Sequence, residues 1–222
     1  MQPADAYFFD IDGTLLVTRD LVHWNALHEA MLAVYGVDTT IEGLPYHGKT
    51  DVAILRAALH RCGVSSQAFY SRLPRALAVV CREVEKNAAA ISADVCPAVP
   101  DVLSRILAGG KLLGVASGNL EAVGWHKLSA AGLRDFFRFG SFGDHCEQRG
   151  AIFAHAVGLA QDRLGKDVKV CFVGDTPEDI RAARSVNARV IAVSTGTFSF
   201  PELARMEPDA CCRSCRELLG PF

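Results

Sequence analysis

The stretch "AYFFDIDGT", residues 6–14, decides how the rest of the chain is read. Ala6 to Phe9 form a short run with no charged face, the composition of a strand covered on both sides in a parallel sheet. Its carboxyl end delivers Asp10, and open α/β sheets gather their ligands at that end. Asp12 follows at the two-residue spacing that sends alternate side chains of an extended chain the same way. Gly13 permits a tight turn, and Thr14 offers a hydroxyl to a carboxylate or a phosphate oxygen. Two neighbouring carboxylates suit a nucleophile and an acid/base partner, provided a cation offsets their repulsion. Taken alone, the same residues also make an ordinary strand-end turn, because Asp and Gly are common turn formers.

Three more apolar runs repeat the strand pattern: "KLLGVAS" (111–117), "KVCFVGD" (169–175) and "RVIAVST" (189–195). Helical spacing predicts helices near 119–131, 150–164 and 177–187, and one led by Pro97 or Pro100 ahead of the second run. Strands alternating with helices predict an α/β fold, a Rossmann-like three-layer core with a central parallel sheet. Residues 18–94 differ. Leu27, Met31, Val34 and Tyr35, then Ile54, Leu55, Ala58 and Leu59, then a long segment over 67–87, keep three- and four-residue spacing. No buried strand is legible among them. The expected division is a catalytic core of 1–17 and 95–222 with an α-helical cap domain, 18–94, inserted between the first two strands.

Two other strand ends carry chemistry. "GVASGN" (114–119) ends in Ser117, Gly118 and Asn119, a hydroxyl, an unobstructed backbone N–H and a helix start, all suited to phosphoryl oxygens. "CFVGDTPEDI" (171–180) ends in Asp175 and Asp179, hard oxygen donors of the kind Mg²⁺ takes. Asp179 and Glu178 also fit the plainer role of favourable charges in a first helical turn. A cation should complete the set. Arg149, in "CEQRGAIF", is the first candidate, with Lys127 and Arg134 weaker ones; an Arg there is equally at home on a solvated surface.

"GLPYHGKT" (43–50) matches the phosphate-binding pattern G-x-x-x-x-G-K-[ST] letter for letter. A working loop of that kind joins a buried strand to a helix, yet the preceding "VDTTIE" is half polar, and Tyr46 and His47 are bulky for a close phosphate wrap. Context therefore favours a cap loop over a nucleotide-triphosphate site.

The bulk properties narrow the field. The chain has 222 residues, half of them hydrophobic, and a net charge of −2. That supports a sizeable core and argues against nucleic acid as a partner, which needs clustered Lys and Arg. The longest apolar runs are strand-length, far below the roughly 20 residues that span a bilayer, and "MQPADAYFFD" lacks the regions of a signal peptide. A cytoplasmic protein with no membrane partner is expected. The eight cysteines are scattered, apart from "CCRSC" (211–215), which holds one C-x-x-C where a structural zinc usually needs two such pairs.

Taken in order, "DIDGT" (10–14), "SGN" (117–119), Arg149 and "GDTPED" (174–179) resemble the four motifs of the haloacid dehalogenase superfamily, and the helical insertion is similar to the cap of its phosphoglycolate phosphatase-like subfamily. The resemblance covers nearly the whole chain. It departs at the third motif, where the family most often has Lys followed by Pro and this chain has Arg149-Gly150. It implies a Mg²⁺-dependent phosphatase acting on a small phosphorylated metabolite. Asp10 is then nucleophile and metal ligand, and Asp12 the acid/base and, through its main-chain carbonyl, a ligand. Asp175 ligates the metal and Asp179 supports it. Thr14, Ser117, Gly118, Asn119 and Arg149 become phosphate-binding, and "HGKTD" (47–51) places His47, Lys49 and Thr50 as cap residues that read the leaving group. Thr50 or Asp51 also suits a simple helix cap there. A phosphomutase using the same nucleophile, of the β-phosphoglucomutase kind, and a non-catalytic module on this fold are the alternatives. A dehalogenase would give Asp12 nothing to do, because a halide leaves without a proton.

Overall fold

The structure, a computed structural model, describes residues 4–144 and 146–219; the outer ends of the expected core segments, 1–3 and 220–222, lie outside them. Strand β1 (Ala6–Phe9) is central in a six-stranded sheet. Its neighbours are β4 (Leu112–Ala116) and β6 (Val170–Gly174), each pairing with it in parallel. Beyond β4 lies β5 (Gly140–Ser141); beyond β6 lie β7 (Arg189–Val193) and β8 (Ala210–Cys212), all parallel. The order β5-β4-β1-β6-β7-β8 puts the reversal of winding at β1, and the crevice at such a switch point is where open α/β sheets bind ligands. The sequence reading contained β1, β4, β6 and β7. It lacked β5 and β8, whose two and three residues are too short to show a pattern.

Alternation along the strands splits the core into two layers. Phe9, Val115, Val173 and Ile191 face one cluster, with Leu103, Leu128 and Phe137 above them. Phe8, Phe172, Val190 and Ala192 face the other, against Phe153, Ala156 and Ile180. Phe8 stacks on Phe172 at 5.7 Å, and Phe172 on Phe153 at 3.8 Å, so the strand entering Asp10 is anchored by a buried aromatic column. The covering helices are α4 (Val99–Ala108), α5 (Glu121–Ala130), α6 (Arg149–Leu164), α7 (Pro177–Ser185) and α8 (Phe200–Ala204). Cys96, Cys212 and Cys215 are buried in the first layer, where loss of water pushes their thiols up to about 11, 11 and 12. They act as small apolar residues there.

Three helices, α1 (Val22–Tyr35), α2 (Asp51–Arg61) and α3 (Ser66–Lys86), bury their apolar faces on one another. Met31, Leu55, Leu59, Phe69 and Val80 form that centre, which extends to Leu120 and Val123 of the sheet-bearing part. Where the chain leaves and re-enters that part, β2 (Leu16–Thr18) and β3 (Ala93–Val95) pair antiparallel. This ribbon has only three residues per strand, and β3 is largely exposed, so no buried-strand pattern marked it. Among the described residues, no helix is long and apolar enough to cross a membrane.

Candidate active site

The carboxyl ends of β1, β4 and β6 converge on a cavity of about 470 Å³ roofed by the helical block. Asp10 leaves β1 with its N–H donating to the Val173 carbonyl at 2.9 Å, so sheet hydrogen bonding fixes its backbone. Gly13 then turns at φ 82, and a Cβ there would sit 2.3 Å from the Asp175 carboxylate. A positive φ and a carboxylate pressed against the backbone together demand glycine.

Asp10, Asp175 and Asp179 each offer an oxygen within 4.8 Å of the others, and all three are buried. Arg149, the first residue of α6, is buried beside them. Its Nε donates to Asp179 at 2.7 Å, and its Nη2 lies 2.7 Å from Asp10 Oδ2. That second contact is a close ion pair whose alignment falls short of a standard hydrogen bond, so the buried Nη2 keeps donor capacity. A phosphoryl oxygen would satisfy it. Asp179 turns its other oxygen to the N–H and hydroxyl of Thr176, closing a capping box at the start of α7. Its sequence reading as a first-turn charge and its place among the acidic trio are both realised.

One guanidinium among three buried carboxylates leaves an excess of negative charge. Burial raises Asp10 most, the Arg149 charge opposes this, and the like charges of Asp179 and Asp12 add to it, pushing the carboxyl up to about 6. Asp175 is raised well above the usual range by burial, then by Asp179 and Asp10. Thr14, fully buried, donates to Asp175 at 3.1 Å; it orients a carboxylate and does not line the cavity.

Asp12 has a different environment. Lys127 Nζ reaches its two carboxylate oxygens at 2.9 and 2.8 Å, and Asn119 donates to it at 2.7 Å. Lys127 also donates to Asn119 Oδ1 at 2.8 Å, so three side chains lock one another. Burial would raise the Asp12 carboxyl, but the charge and hydrogen bond of Lys127, with Asn119 and His23, hold it below the usual range. Sequence reasoning ranked Lys127 behind Arg149 for a single cationic role, whereas the structure gives each aspartate its own cation. The signal was present: Lys127 lies four residues after buried Val123 and so falls on the inward face of α5. Arg134 points elsewhere, stacking on Trp125 and donating to the Phe137 carbonyl.

The loop carrying "HGKT" hangs over the sheet ends. Gly48, at φ 74, passes so close to α7 that a Cβ would lie 2.6 Å from Thr176 Oγ1. Lys49 pairs with Glu178 at 2.7 Å. No strand precedes this loop, so the letter-for-letter phosphate pattern is a cap-to-core contact. His47 lines the cavity and meets Thr197 at 3.2 Å. Thr50 does not face the cavity. It is fully buried, caps α2 by accepting from the Ala53 N–H, and donates to the Glu147 carbonyl at 3.2 Å. Asp51, read only as a helix cap, instead accepts from the Leu120 N–H at 2.8 Å and from His23 at 3.2 Å, while its own N–H donates to the Gly118 carbonyl. Gly118 thus gives its carbonyl to the cap. Ser117, buried on the cavity wall, accepts from Asn119.

The model of the haloacid dehalogenase-like hydrolases matches residues 7–193, and the chain belongs to that family. Solved structures share the architecture over nearly the whole length. CbbY from Rhodobacter sphaeroides, in complex with phosphate, is 20% identical with a TM-score of 0.70, covering 98% of this chain and 97% of that one. A Pseudomonas syringae hydrolase is 19% identical with a TM-score of 0.67, covering 96% and 95%. A Haemophilus somnus protein, called a predicted phosphoglycolate phosphatase, is 18% identical with a TM-score of 0.67, covering 97% and 96%. No curated protein sequence matches significantly.

Proposed function

We propose that this enzyme is a Mg²⁺-dependent phosphomonoesterase that hydrolyses a small phosphorylated metabolite through an aspartyl-phosphate on Asp10. The observation that carries the reading is the buried Arg149 Nη2, ion-paired with Asp10 at 2.7 Å without a full hydrogen bond, at the floor of a cavity large enough for an organic ester. Nucleophile and phosphoryl anchor are already side by side.

The acidic trio fits a magnesium ion by donor type and by charge. Asp10 and Asp175 face the cavity and would hold the ion with the Asp12 carbonyl; Asp179, engaged by Arg149 and Thr176, supports them from behind. When bound, the ion supplies charge stabilisation between nucleophile and phosphoryl oxygens.

An Asp10 oxygen attacks phosphorus, the bond to the leaving oxygen breaks, and its electron pair departs with that oxygen. Lys127 holds the resting Asp12 as a carboxylate, so Asp12 first takes the proton that the monoanionic ester, abundant near pH 6, brings in, and then hands it to the departing oxygen. Asp12, a base again, draws a proton from water attacking the acyl phosphate, releasing phosphate and restoring Asp10. Ser117 and Arg149 bind the phosphoryl oxygens throughout. Closure of the cap over a bound ester would keep bulk water out.

Phosphate release from p-nitrophenyl phosphate tests this. Wild type should turn over with Mg²⁺ and stop on chelation, and Asp10→Asn should lose at least ~10³-fold in kcat. Retained turnover in the variant overturns the mechanism. An isomerised sugar phosphate without free phosphate would identify a mutase instead.

A further inference from the structure

The cavity has two unlike walls, and the cap wall specifies what kind of ester it takes. We infer that it receives an uncharged organic group with an apolar, ring-sized face, so that the substrate is the monophosphate of an aromatic or similarly flat alcohol. A phosphorylated acid or a bisphosphate is disfavoured. This rests on the phosphomonoesterase reading above and names its substrate class.

Charge supports the choice first. Three Lys or Arg side chains line the cavity, and each already holds a carboxylate: Lys49 on Glu178, Lys127 on Asp12 and Arg149 on Asp10. Arg149 faces the reacting phosphoryl group, which leaves no Lys or Arg without a carboxylate partner among the described residues lining the cavity. Asp20 and Asp51 line the same space, with Asp20 accepting the N–H groups of Val22 and Ser92. A carboxylate or second phosphate would have to draw Lys127 or Arg149 from a buried partner, which is costly, or take Lys49 from Glu178 and still lie beside these aspartates. Lys49, which the sequence suggested as a reader of a polar or anionic group, is therefore a fastener of the cap.

Shape and polarity point the same way. Trp24, Leu27, Ile41, Tyr46 and Ile54 all reach the cavity from the cap. The three aliphatic residues are buried in the cap's apolar centre, so they present a fixed surface. Trp24 and Tyr46 are only partly buried and meet edge to face at 5.8 Å. A Trp face and a Tyr face beside aliphatic packing suit a flat apolar group.

Binding to the inactive Asp10→Asn protein, with Mg²⁺ and measured by calorimetry, separates recognition from chemistry. The probes are 2-phenylethyl phosphate, ethyl phosphate, 2-phosphoglycolate, a hexose bisphosphate and phosphocholine. Phenylethyl phosphate should bind at least about tenfold tighter than phosphoglycolate or the bisphosphate. Adding Trp24→Ala should remove most of that preference and leave ethyl phosphate within about twofold; Tyr46→Ala gives a second reading should the tryptophan variant fail to fold. Tightest binding by phosphoglycolate, bisphosphate or phosphocholine overturns the inference, as does an equal loss for every ester or no binding at all. Preference retained here while wild type releases no phosphate from any ester would instead sink only the hydrolytic reading.

Discussion

The sheet-side and cap-side walls of the cavity are held in different ways. On the sheet side, polar groups are pinned by other polar groups: Arg149 between Asp10 and Asp179, Lys127 between Asp12 and Asn119, Thr14 on Asp175. On the cap side, side chains are pinned by packing, with Leu27 and Ile41 buried in the helical cluster and Trp24 against Tyr46. Ionic pinning fixes charged atoms to the positions that phosphoryl chemistry needs, at the cost of desolvating several charges. Packing fixes shape and tolerates exchange of one apolar residue for another of similar volume. The two walls meet through a few fasteners: Lys49 on Glu178, Arg56 on Glu147 at 2.5 Å, Tyr70 on Glu147, and Asp51 on the Leu120 N–H.

Removing a pin from the ionic wall should cost most. Arg149→Met leaves Asp10 and Asp179 without their cation, and the metal-free protein should lose about 3–5 kcal/mol in denaturant unfolding. Mg²⁺ should restore part of that loss. An unchanged midpoint would mean that the carboxylates do not depend on the guanidinium.

Lys127→Met removes the second cation. Lys127 is buried, but its partner Asp12 is 40% exposed at the side chain, so water takes over part of the bond. A smaller loss, about 1–3 kcal/mol, is expected. Turnover should fall more for an alkyl phosphate than for p-nitrophenyl phosphate, whose leaving group needs little help from an acid. An equal fall for both would show that Lys127 does not act through Asp12.

The third test is a pH profile. Asp10 is raised from its ordinary 3.8 to about 6, so the folded metal-free protein holds that proton more tightly than the unfolded chain. Its stabilising contribution is complete below the ordinary value and is lost as pH rises through about 6. In chelator, wild type should therefore lose stability relative to Asp10→Asn between about pH 4 and 7; parallel curves would contradict the assignment. Turnover, which needs the carboxylate, should fall as pH drops below 6, and added Mg²⁺ should move that fall to lower pH.

The smallest effect belongs to the fasteners. Lys49 and Glu178 are partly exposed, so Lys49→Met should change stability by less than about 1 kcal/mol. A nucleotide-triphosphate loop would be disabled by that change, and an intact phosphatase rate would exclude it.

Much of the sheet-side wall was legible in the sequence because local pattern sets it. Asp10, Ser117 and Asp175 sit just past strands whose apolar runs mark their ends, and Arg149 opens a helix whose start was expected within one residue. Thr14 and Thr50 each had two readings in the sequence, a ligand contact or a carboxylate partner for the one and a ligand contact or a helix cap for the other, and both turn inward, to a carboxylate and to a helix start. A hydroxyl's partner depends on which group lies within 3 Å, which spacing does not encode.

What the amino-acid order determined by itself was the α/β core, the inserted helices and the acidic strand ends. Strand and helix periodicity are properties of neighbours in the chain, and buried apolar runs leave few other ways to fold. Only the tertiary structure decided which cation serves which aspartate, that Lys49 is spent on Glu178, and that Trp24 and Tyr46 line the same cavity as Asp10. Those pairings join residues about 30 to 130 positions apart, and only the docking of the helices onto the sheet brings such residues within reach.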